Sequence, residues 1–258
     1  MAERGGPWDR PLVADVQTVM WKELVELRQG AGRGRFASGL SQTLVSIGVF
    51  GILLPYNFGK EWVTSPSALL FWAWVPMLLI STVVAQSFAG ERERHTLESL
   101  LATRLPDRAI YLGKVGAAVA YGWATSLAAL LLGLVTTNLR FRGDGLLLYS
   151  PDMAISIVLL TLLISLLAAA VGVLVSLRAS TVRQAQQTLS LASLVLVFGS
   201  MYGLRALPID WEALAAHMSG GAVPSLGVLV ALGTLLALDT ALLAVGLMRF
   251  RRARLITD

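Results

Sequence analysis

The chain of 258 residues is 55% hydrophobic and only 14% charged, with a mean hydropathy of +0.69. Because soluble domains carry about 25% charged residues, this composition argues against a soluble protein and predicts an integral membrane protein. The net charge of +5 then fits Lys and Arg in cytoplasmic loops better than a nucleic-acid partner, and the absence of cysteine excludes disulfides, thiolate zinc sites and cysteine nucleophiles.

The first predicted element is an amphipathic helix in the stretch PLVADVQTVMWKELVELRQG. Its apolar residues recur every three or four positions and form one stripe: Val13, Val16, Met20, Leu24 and Leu27. We predict that residues 1–36 are cytoplasmic and that this helix lies at the membrane interface as an elbow before the first span. A simple membrane anchor is the alternative.

Six apolar runs are predicted to cross the bilayer, each as a helix of about 20 residues. They are Ser38–Tyr56, Pro66–Phe88, Val115–Thr137, Met153–Leu177, Gln184–Leu204 and Val223–Met248. The predicted fold is therefore an all-α polytopic membrane bundle of six transmembrane helices over residues 37–258. Of the 21 Lys and Arg residues, 17 fall on the side that holds both termini, which predicts that both termini are cytoplasmic.

A charged stretch, FAGERERHTLESLLATRLPDRAIYLGK, separates the second span from the third. Its leucines lie on one helical face, at Leu97, Leu100, Leu101 and Leu105. A helix Thr96–Leu105 is predicted, capped by Thr96 and stopped by Pro106, with Asp107 starting the helix that continues into the third span. This helix either lies on the membrane or docks a protein, and its mixed charges suit a protein better because an anionic leaflet repels acids.

This stretch resembles the signature cytoplasmic segment of ABC-2 type permeases, the membrane subunits of type V ATP-driven exporters. The matching residues are Phe88, Glu91, Arg92, Glu93, Thr96, Leu97, Glu98, Leu100, Leu101, Ala102, Arg108, Ile110, Gly113 and Lys114. The chain departs at His95, where the family usually has a Gly that tolerates positive φ. Arg104 and Leu105 also intervene before Pro106, which suggests a slightly longer coupling helix. The run MWKELVELR is similar to the family's N-terminal segment.

The resemblance implies that the chain is a transport subunit and not an enzyme, and that it couples ATP hydrolysis on a separate chain to export of a substrate. Two ABC ATPase subunits, and a second copy of this permease or a homologous one, are implied as partners in the inner cell membrane. No cofactor is expected on this chain, with ATP and Mg on the partner ATPase. Residues 89–112 are the implied coupling segment, and the candidate ATPase-coupling residues are Lys22, Glu23, Glu91, Arg92, Glu93, Arg94, Thr96, Glu98 and Arg108.

Sequence motifs for other chemistry are absent. The run YLGK lacks the upstream glycine and following Ser or Thr of a P-loop, so ATP binding by this chain is not predicted. With two histidines and no His-Glu-x-x-His motif, a histidine metal site is not predicted either. A membrane enzyme is therefore disfavoured, whereas a subunit that transmits ATPase motion to a periplasmic or membrane partner, without moving a small solute, stays open as an alternative.

Asp239 is an acid deep in the apolar run LLALDTALLAVG. Such a group is costly in a bilayer, so it is either a substrate or proton-coupling contact in the transport pathway, or a protonated or hydrogen-bonded packing residue for which a neighbouring Thr is a candidate partner. Other predictions are structural: an aromatic belt at Trp62, Trp72 and Trp74, a short outer helix over Leu207–Met218, and close helix packing at small residues such as Gly172.

Overall fold

The computed structural model describes residues 11–29, 43–65, 68–96, 102–206 and 226–250. The described residues form helices and no strand, which confirms the all-α class. The helices are α1 (Leu12–Gln29), α2 (Thr43–Phe58), α3 (Glu61–Thr64), α4 (Ala68–Ser87), α5 (Ala89–Glu93), α6 (Asp107–Arg140), α7 (Pro151–Arg178), α8 (Val182–Ala206) and α9 (Leu226–Arg249).

Four helical segments within the described ranges are long and apolar enough to cross a membrane. They are Phe71–Glu93, Asp107–Arg140, Pro151–Arg178 and Leu229–Arg249, and they correspond to the second, third, fourth and sixth predicted spans. The first predicted span falls partly outside the described residues, and its described part is the shorter apolar helix α2. The fifth falls within α8, whose side chains are only partly described, so a count of six spans is not confirmed.

Helices α4, α6 and α7 pack side by side, α9 lies against α7, and α1 runs along α6. Small residues make the close approach possible. A Cβ atom added to Gly172 of α7 would lie 2.8 Å from Val84 Cγ1 of α4, which confirms the predicted close packing at Gly172. Successive long helices run in opposite directions through the bundle, because short connections join α6 to α7 and α7 to α8.

The bundle has two chemically different ends. At one end, called here the charged end, α1 meets α5, the start of α6 and the turn between α7 and α8. At the opposite end, called the aromatic end, α2 and α3 meet the end of α6 and the start of α4. Signature residues from the sequence resemblance lie at the charged end.

The aromatic end corrects one prediction. Trp62 and Trp72 are 1% and 0% exposed, with their ring centroids 5.7 Å apart, in a core cluster that also contains Met153 of α7. They therefore pack inside the protein and do not form a lipid-facing belt. Hydropathy does not distinguish these two cases, because lipid tails and protein core are both apolar.

One hydrogen bond from a side chain to the backbone and one between two side chains hold α2 on α6. Residues Val49–Leu53 of α2 form a π-helical turn, which leaves the ordinary pattern of helix hydrogen bonds. The Thr136 hydroxyl of α6 donates to the Gly51 carbonyl in that turn at 2.7 Å, and Thr43 pairs with the Tyr121 hydroxyl. The irregular backbone is thus satisfied by protein and not by lipid, as it must be at membrane depth.

Helix α1 confirms the predicted helix, but its buried face coincides only in part with the predicted stripe. Val19, which is outside the predicted stripe, is 3% exposed and packs against Gly113 of α6, while Met20 packs against Gly116. Val13, which belongs to the predicted stripe, is 64% exposed, so that part of the prediction is wrong. The face that α1 turns towards α6 is determined by two glycines of α6, Gly113 and Gly116, which leave room for it. The periodicity of α1 alone does not predict this face.

The predicted coupling helix Thr96–Leu105 is corrected at its C-terminal end. At its start, the Thr96 backbone N–H donates to the Glu91 carbonyl at 2.9 Å and closes the end of α5. Capping of a following helix by Thr96 stays a prediction. Residues 102–105 form turns, so the predicted extra helical length before Pro106 is also wrong; residues 97–101 lie outside the described ranges. The predicted helix start at Asp107 is confirmed, and it continues unbroken to Arg140. The predicted outer helix Leu207–Met218 lies outside the described residues.

Candidate functional site

A buried lysine joins three elements at the charged end. The Lys114 ammonium of α6, whose side chain is 0% exposed, donates to Glu23 Oε1 of α1 and to Glu91 Oε1 of α5, each at 2.8 Å. Its third hydrogen bond goes to the Ser87 carbonyl at the end of α4, at 2.9 Å. The Phe88 ring centroid lies 5.0 Å from the same nitrogen. All three ammonium donors are therefore satisfied, as a buried charge requires.

We call this group the charged junction and define it by its ionised members, Lys22, Glu23, Glu26, Glu91 and Lys114. Lys22 lies on the outer side of the junction, 3.1 Å from Glu26 and 3.6 Å from Glu91. Burial lowers the pKa of Lys22, but the three carboxylates raise it by more, so it lies above its ordinary value. Its contribution to stability is thus complete at neutral pH and is lost only as the pH rises through that raised pKa.

The Gly-Lys pair of the signature segment explains how the junction is built. A Cβ atom added to Gly113 would lie 2.5 Å from Val19 Cβ and 3.1 Å from the Val16 carbonyl oxygen. Gly113 thus lets the backbone of α1 approach α6, and Lys114 then reaches Glu23 on α1. Neighbouring residues in the sequence perform two linked tasks, close approach and electrostatic attachment.

Arg92 and Glu93 attach α5 to the turn between α7 and α8. The Arg92 guanidinium donates to the Ala179 carbonyl at 2.9 Å and to the Leu177 carbonyl at 3.0 Å. Carbonyls at the end of a helix lack intrahelical partners and favour a cation there. Glu93 Oε1 accepts from the Val182 N–H at 2.9 Å, where α8 begins and an acid is favoured.

His95 ends α5 in a conformation that normally selects glycine. Its φ is +55°, the one positive φ of a non-glycine residue in the described part of the chain. The Thr96 N–H donates to the Glu91 carbonyl and the His95 N–H to the Arg92 carbonyl, which is the hydrogen-bond pattern of a Schellman motif. The left-handed position of that motif is usually Gly, which accounts physically for the glycine in the resembled segment.

We expect His95→Gly to preserve or slightly raise the free energy of unfolding, by at most about 1 kcal/mol, because it removes the left-handed strain but adds chain entropy. His95→Val should lower it by at least about 1 kcal/mol, since a β-branched residue strongly disfavours positive φ. Thermal unfolding of the purified chain in detergent checks both values. If Val were tolerated as well as Gly, the backbone at His95 would not be left-handed.

Asp239 lies on the inward face of α9, in register with the buried residues Leu232, Gly246 and Phe250. It is 0% exposed, and neither carboxyl oxygen has a hydrogen-bond partner among the described residues. The predicted pairing with a neighbouring Thr is wrong, because the Thr240 hydroxyl donates to the Ala237 carbonyl. A role in the substrate pathway stays a prediction.

We expect Asp239→Leu to raise the free energy of unfolding by about 1–3 kcal/mol, since it removes an unsatisfied buried polar group from an apolar span. Asp239→Asn, which keeps a polar group of similar size, serves as the control and should change stability much less. Thermal unfolding in detergent is the measurement. A clear loss of stability in Asp239→Leu would mean that the carboxyl group has a partner beyond this single chain, such as a bound ion or a neighbouring subunit.

A cavity of about 260 Å³ lies between α4 and α8. Its walls are mainly apolar and carry three serine residues; the lining residues are Trp74, Met77, Leu78, Ser81, Ser190, Ser193 and Leu194. The Ser81 and Ser193 hydroxyls donate to carbonyls of their own helices, which leaves their oxygens as acceptors facing the same region. Such a cavity suits a mostly apolar molecule with few hydrogen-bond donors.

The structure brings most candidate coupling residues together but gives several of them partners within the chain. Glu23, Glu91, Arg92 and Glu93 face other helices, and Lys22 is 43% exposed at its side chain. Arg94, Thr96 and Arg108 are exposed, and Glu98 lies outside the described residues. Docking of these residues to an ATPase stays a prediction. Lys114, the centre of the junction, is not among the predicted coupling residues, although the sequence places it directly before the third apolar run.

Comparison with known proteins identifies a family and a related permease. The family described as ABC-2 type transporter matches residues 14–219, which include the charged junction, the signature segment and the turn between α7 and α8. The ABC transporter permease protein NatB of Bacillus subtilis (strain 168) is 29% identical over 161 residues, which cover 57% of this chain. The matched region spans 41% of that relative's length.

Proposed function

The chain belongs to the ABC-2 type transporter family, and on this premise we propose that it is the permease subunit of an exporter driven by a separate ATPase. The family is one of multi-pass membrane subunits of ABC transporters. Our proposal adds the direction of transport, the separate ATPase chain that binds ATP and Mg, and a complex of two permeases with two ATPases. It also states that the protein lies in the inner cell membrane. Both termini, and with them the charged end, then face the cytoplasm.

The observation that carries the proposal is the charged junction. Lys114 of α6 binds Glu23 of α1 and Glu91 of α5, each at 2.8 Å. The N-terminal helix, the start of the signature segment and the long helix α6 are therefore attached to one another. A push on Arg94 and the other described exposed residues of the signature segment therefore displaces α6, because a stiff helix of 34 residues carries the movement across the membrane. A connection that only linked two spans would need no buried ionic attachment to an N-terminal helix.

The cavity between α4 and α8 supports a mostly apolar substrate for this permease. Its walls offer serine oxygens as acceptors and no charged side chain. Asp239 on α9 is the alternative contact, and it would suit a cation. These two options differ in a measurable way, since Ser190→Leu would impair transport of an apolar molecule and Asp239→Asn would impair transport of a cation.

The proposed function is tested by expressing the affinity-tagged chain in its own cell type and purifying it in mild detergent. We expect it to retain an ATPase subunit with a P-loop, in equal numbers of the two chains, and ATP turnover in proteoliposomes that requires the P-loop lysine. In inside-out vesicles, ATP should drive uptake of an apolar fluorescent dye. The matched control carries a P-loop Lys→Ala substitution in the ATPase.

Outcomes separate the alternatives. ATP-dependent dye uptake supports an exporter. ATP turnover that depends on the permease, with no uptake across a panel of apolar and cationic solutes, favours transmission of motion to another protein partner. If the purified chain retains no ATPase and carries out solute transport unaided, the proposed function is wrong.

A further inference from the structure

A small cleft opens beside the charged junction, between α1, α4 and α6. Its volume of about 70 Å³ is enough for about five water molecules or for one small polar group of a larger ligand. Two cationic side chains line it, the fully buried Lys114 and the exposed Arg94. The cleft therefore extends from solvent at Arg94 to the buried ammonium of the junction.

The walls of the cleft are chemically divided. One part is charged and includes Glu26, Glu91 and Arg94. The other part is apolar and includes Leu27, Val83 and Ala117. Val83 and Ala117 belong to helical segments that are apolar enough to cross a membrane. An occupant thus meets charge and hydrocarbon within one cleft, which suits an amphipathic molecule.

The charged junction is short of one positive charge. It has three carboxylates but only two ammonium groups, those of Lys22 and Lys114. Glu91 shows the deficit directly, because its Oε1 binds Lys114 while its Oε2 is buried and has no hydrogen-bond partner among the described residues. A buried carboxylate oxygen without a donor is costly. The cleft is therefore suited to a ligand that brings a positive charge with N–H donors.

We propose that the cleft binds the headgroup of phosphatidylethanolamine, a zwitterionic lipid with a primary ammonium. The ammonium binds at Glu91 and Glu26, and the phosphate lies beside Arg94, whose guanidinium can donate two parallel hydrogen bonds to it. The acyl chains follow the apolar wall at Val83 and Ala117 towards the membrane. This inference needs only a membrane protein of this family, and it does not rest on the direction of transport or on an ATPase partner.

The chemistry of the cleft selects this headgroup over other lipids. Phosphatidylcholine carries three methyl groups on its nitrogen, so it has no N–H to donate to Glu91. An anionic headgroup would bring its negative charge next to the unmatched carboxylate of the junction, where like charges repel. Phosphatidylethanolamine adds one charge of each sign, and the carboxylate and Arg94 match them separately.

Helix α1 places the cleft at the surface of the membrane. It exposes the apolar side chains of Val13 and Trp21, which are 64% and 67% accessible. Trp is enriched where a membrane meets water, and a helix with exposed apolar residues of this kind lies in that plane. Because α1 also supplies Glu26 and Leu27 to the cleft, the headgroups of lipids beside α1 lie at the level of the cleft.

Native mass spectrometry of the purified chain in detergent tests the proposal. The chain is mixed with equal amounts of phosphatidylethanolamine, phosphatidylcholine and phosphatidylglycerol that carry the same acyl chains. We expect one phosphatidylethanolamine per chain, bound about tenfold more tightly than phosphatidylcholine, because only its ammonium donates charge-assisted hydrogen bonds. Glu91→Gln should make these two lipids bind equally, since the amide is neutral.

Two further variants locate the site. Glu26→Gln, at an exposed position of the cleft, should lower the preference for phosphatidylethanolamine by about two- to threefold, because an exposed charge contributes less than a buried one. Glu61→Gln, at an exposed position of the aromatic end, is the matched control and should bind lipids as the wild type does. Thermal unfolding shows which variants are folded. If Glu91→Gln does not fold, the wild type and Glu26→Gln decide the question.

Each outcome supports or overturns the lipid site. Equal binding of phosphatidylethanolamine and phosphatidylcholine by the wild type overturns it, and tighter binding of phosphatidylglycerol overturns it in favour of an anionic lipid. A preference that survives in every folded variant of the cleft places the lipid elsewhere. If free phosphoethanolamine displaces the lipid as effectively as the lipid itself, the ligand is a soluble amine and the lipid site is wrong. None of these results depends on retention of an ATPase, so failure of the proposed function is distinguishable.

Discussion

Replacing Lys114 with Met is expected to lower the free energy of unfolding by about 3–5 kcal/mol, the range found when one partner of a buried ion pair is removed. The substitution keeps the length and apolar body of the side chain but removes the charge. Glu23 and Glu91, whose side chains are 15% and 14% exposed, would then lose their buried cation and keep only the half-exposed Lys22, at 3.4 and 3.6 Å. Like charges in such a place repel and lose solvation together.

The triple variant Lys114→Met/Glu23→Gln/Glu91→Gln should recover most of that loss, because no charge is left unpaired. Lys22→Met is the single-charge control on the exposed side of the same junction, and we expect a loss of no more than about 1 kcal/mol. Thermal unfolding in detergent measures all three. Equal stability of Lys114→Met and Lys22→Met would contradict the buried junction.

Replacing Gly113 with Ala should separate α1 from α6. The added Cβ atom would lie 2.5 Å from Val19 Cβ and 3.1 Å from the Val16 carbonyl oxygen, and both of these atoms are fixed to the α1 backbone. Overpacking of this kind costs typically about 1–3 kcal/mol. Because α1 must then move away, the contact between Glu23 and Lys114 lengthens as well, and we expect coupling to the ATPase to fall together with stability.

Gly116 provides a matched control one turn further along α6. A Cβ atom there would lie 3.3 Å from Met20 Sδ, which can rotate away because Met has a flexible side chain. Gly116→Ala should therefore change the free energy of unfolding by less than about 1 kcal/mol, and it can even stabilise the helix. Since the chain has no cysteine, spin labels introduced in α1 and α6 can report the separation of the helices directly. If the distance between the α1 and α6 labels were the same in Gly113→Ala as in Gly116→Ala, the close contact of α1 with Gly113 would be contradicted.

The sequence predicted the class of fold well, because the length of an apolar run is a property of a whole segment. It predicted the start of α6 at Asp107 for a local reason: Pro106 lacks the N–H that a helix interior needs, and its fixed φ suits the residue before a helix. The predicted six spans are harder to verify from hydropathy, since Thr43–Phe58 is apolar but short in its described part.

The direction of individual side chains in the signature segment could not be predicted. Glu91, Arg92 and Glu93 are consecutive, and successive residues on a helix point about 100° apart. The three side chains therefore reach three different neighbours: α6 with α1, the end of α7, and the start of α8. Their mixed signs suggested an outward docking surface, whereas the tertiary structure uses them mainly to hold the charged end together.

The aromatic residues show a second limit of the sequence. Trp62 and Trp72 have the amphipathic character of a membrane-interface belt, and they fill the core of the aromatic end instead. His95 shows the opposite case, in which a departure from the resembled pattern pointed to the right place. The structure gives it a positive φ, so the turn is retained although the usual glycine is not.

The central claim is that the charged junction couples this permease to the catalytic cycle of a separate ATPase. The most direct measurement is ATP turnover of the partner ATPase in nanodiscs, alone, with the wild-type chain and with Lys114→Met, at a temperature where all remain folded. We predict that the wild-type chain raises turnover severalfold and that Lys114→Met binds the ATPase but fails to raise it. Turnover that is the same with Lys114→Met as with the wild-type chain would contradict the claim.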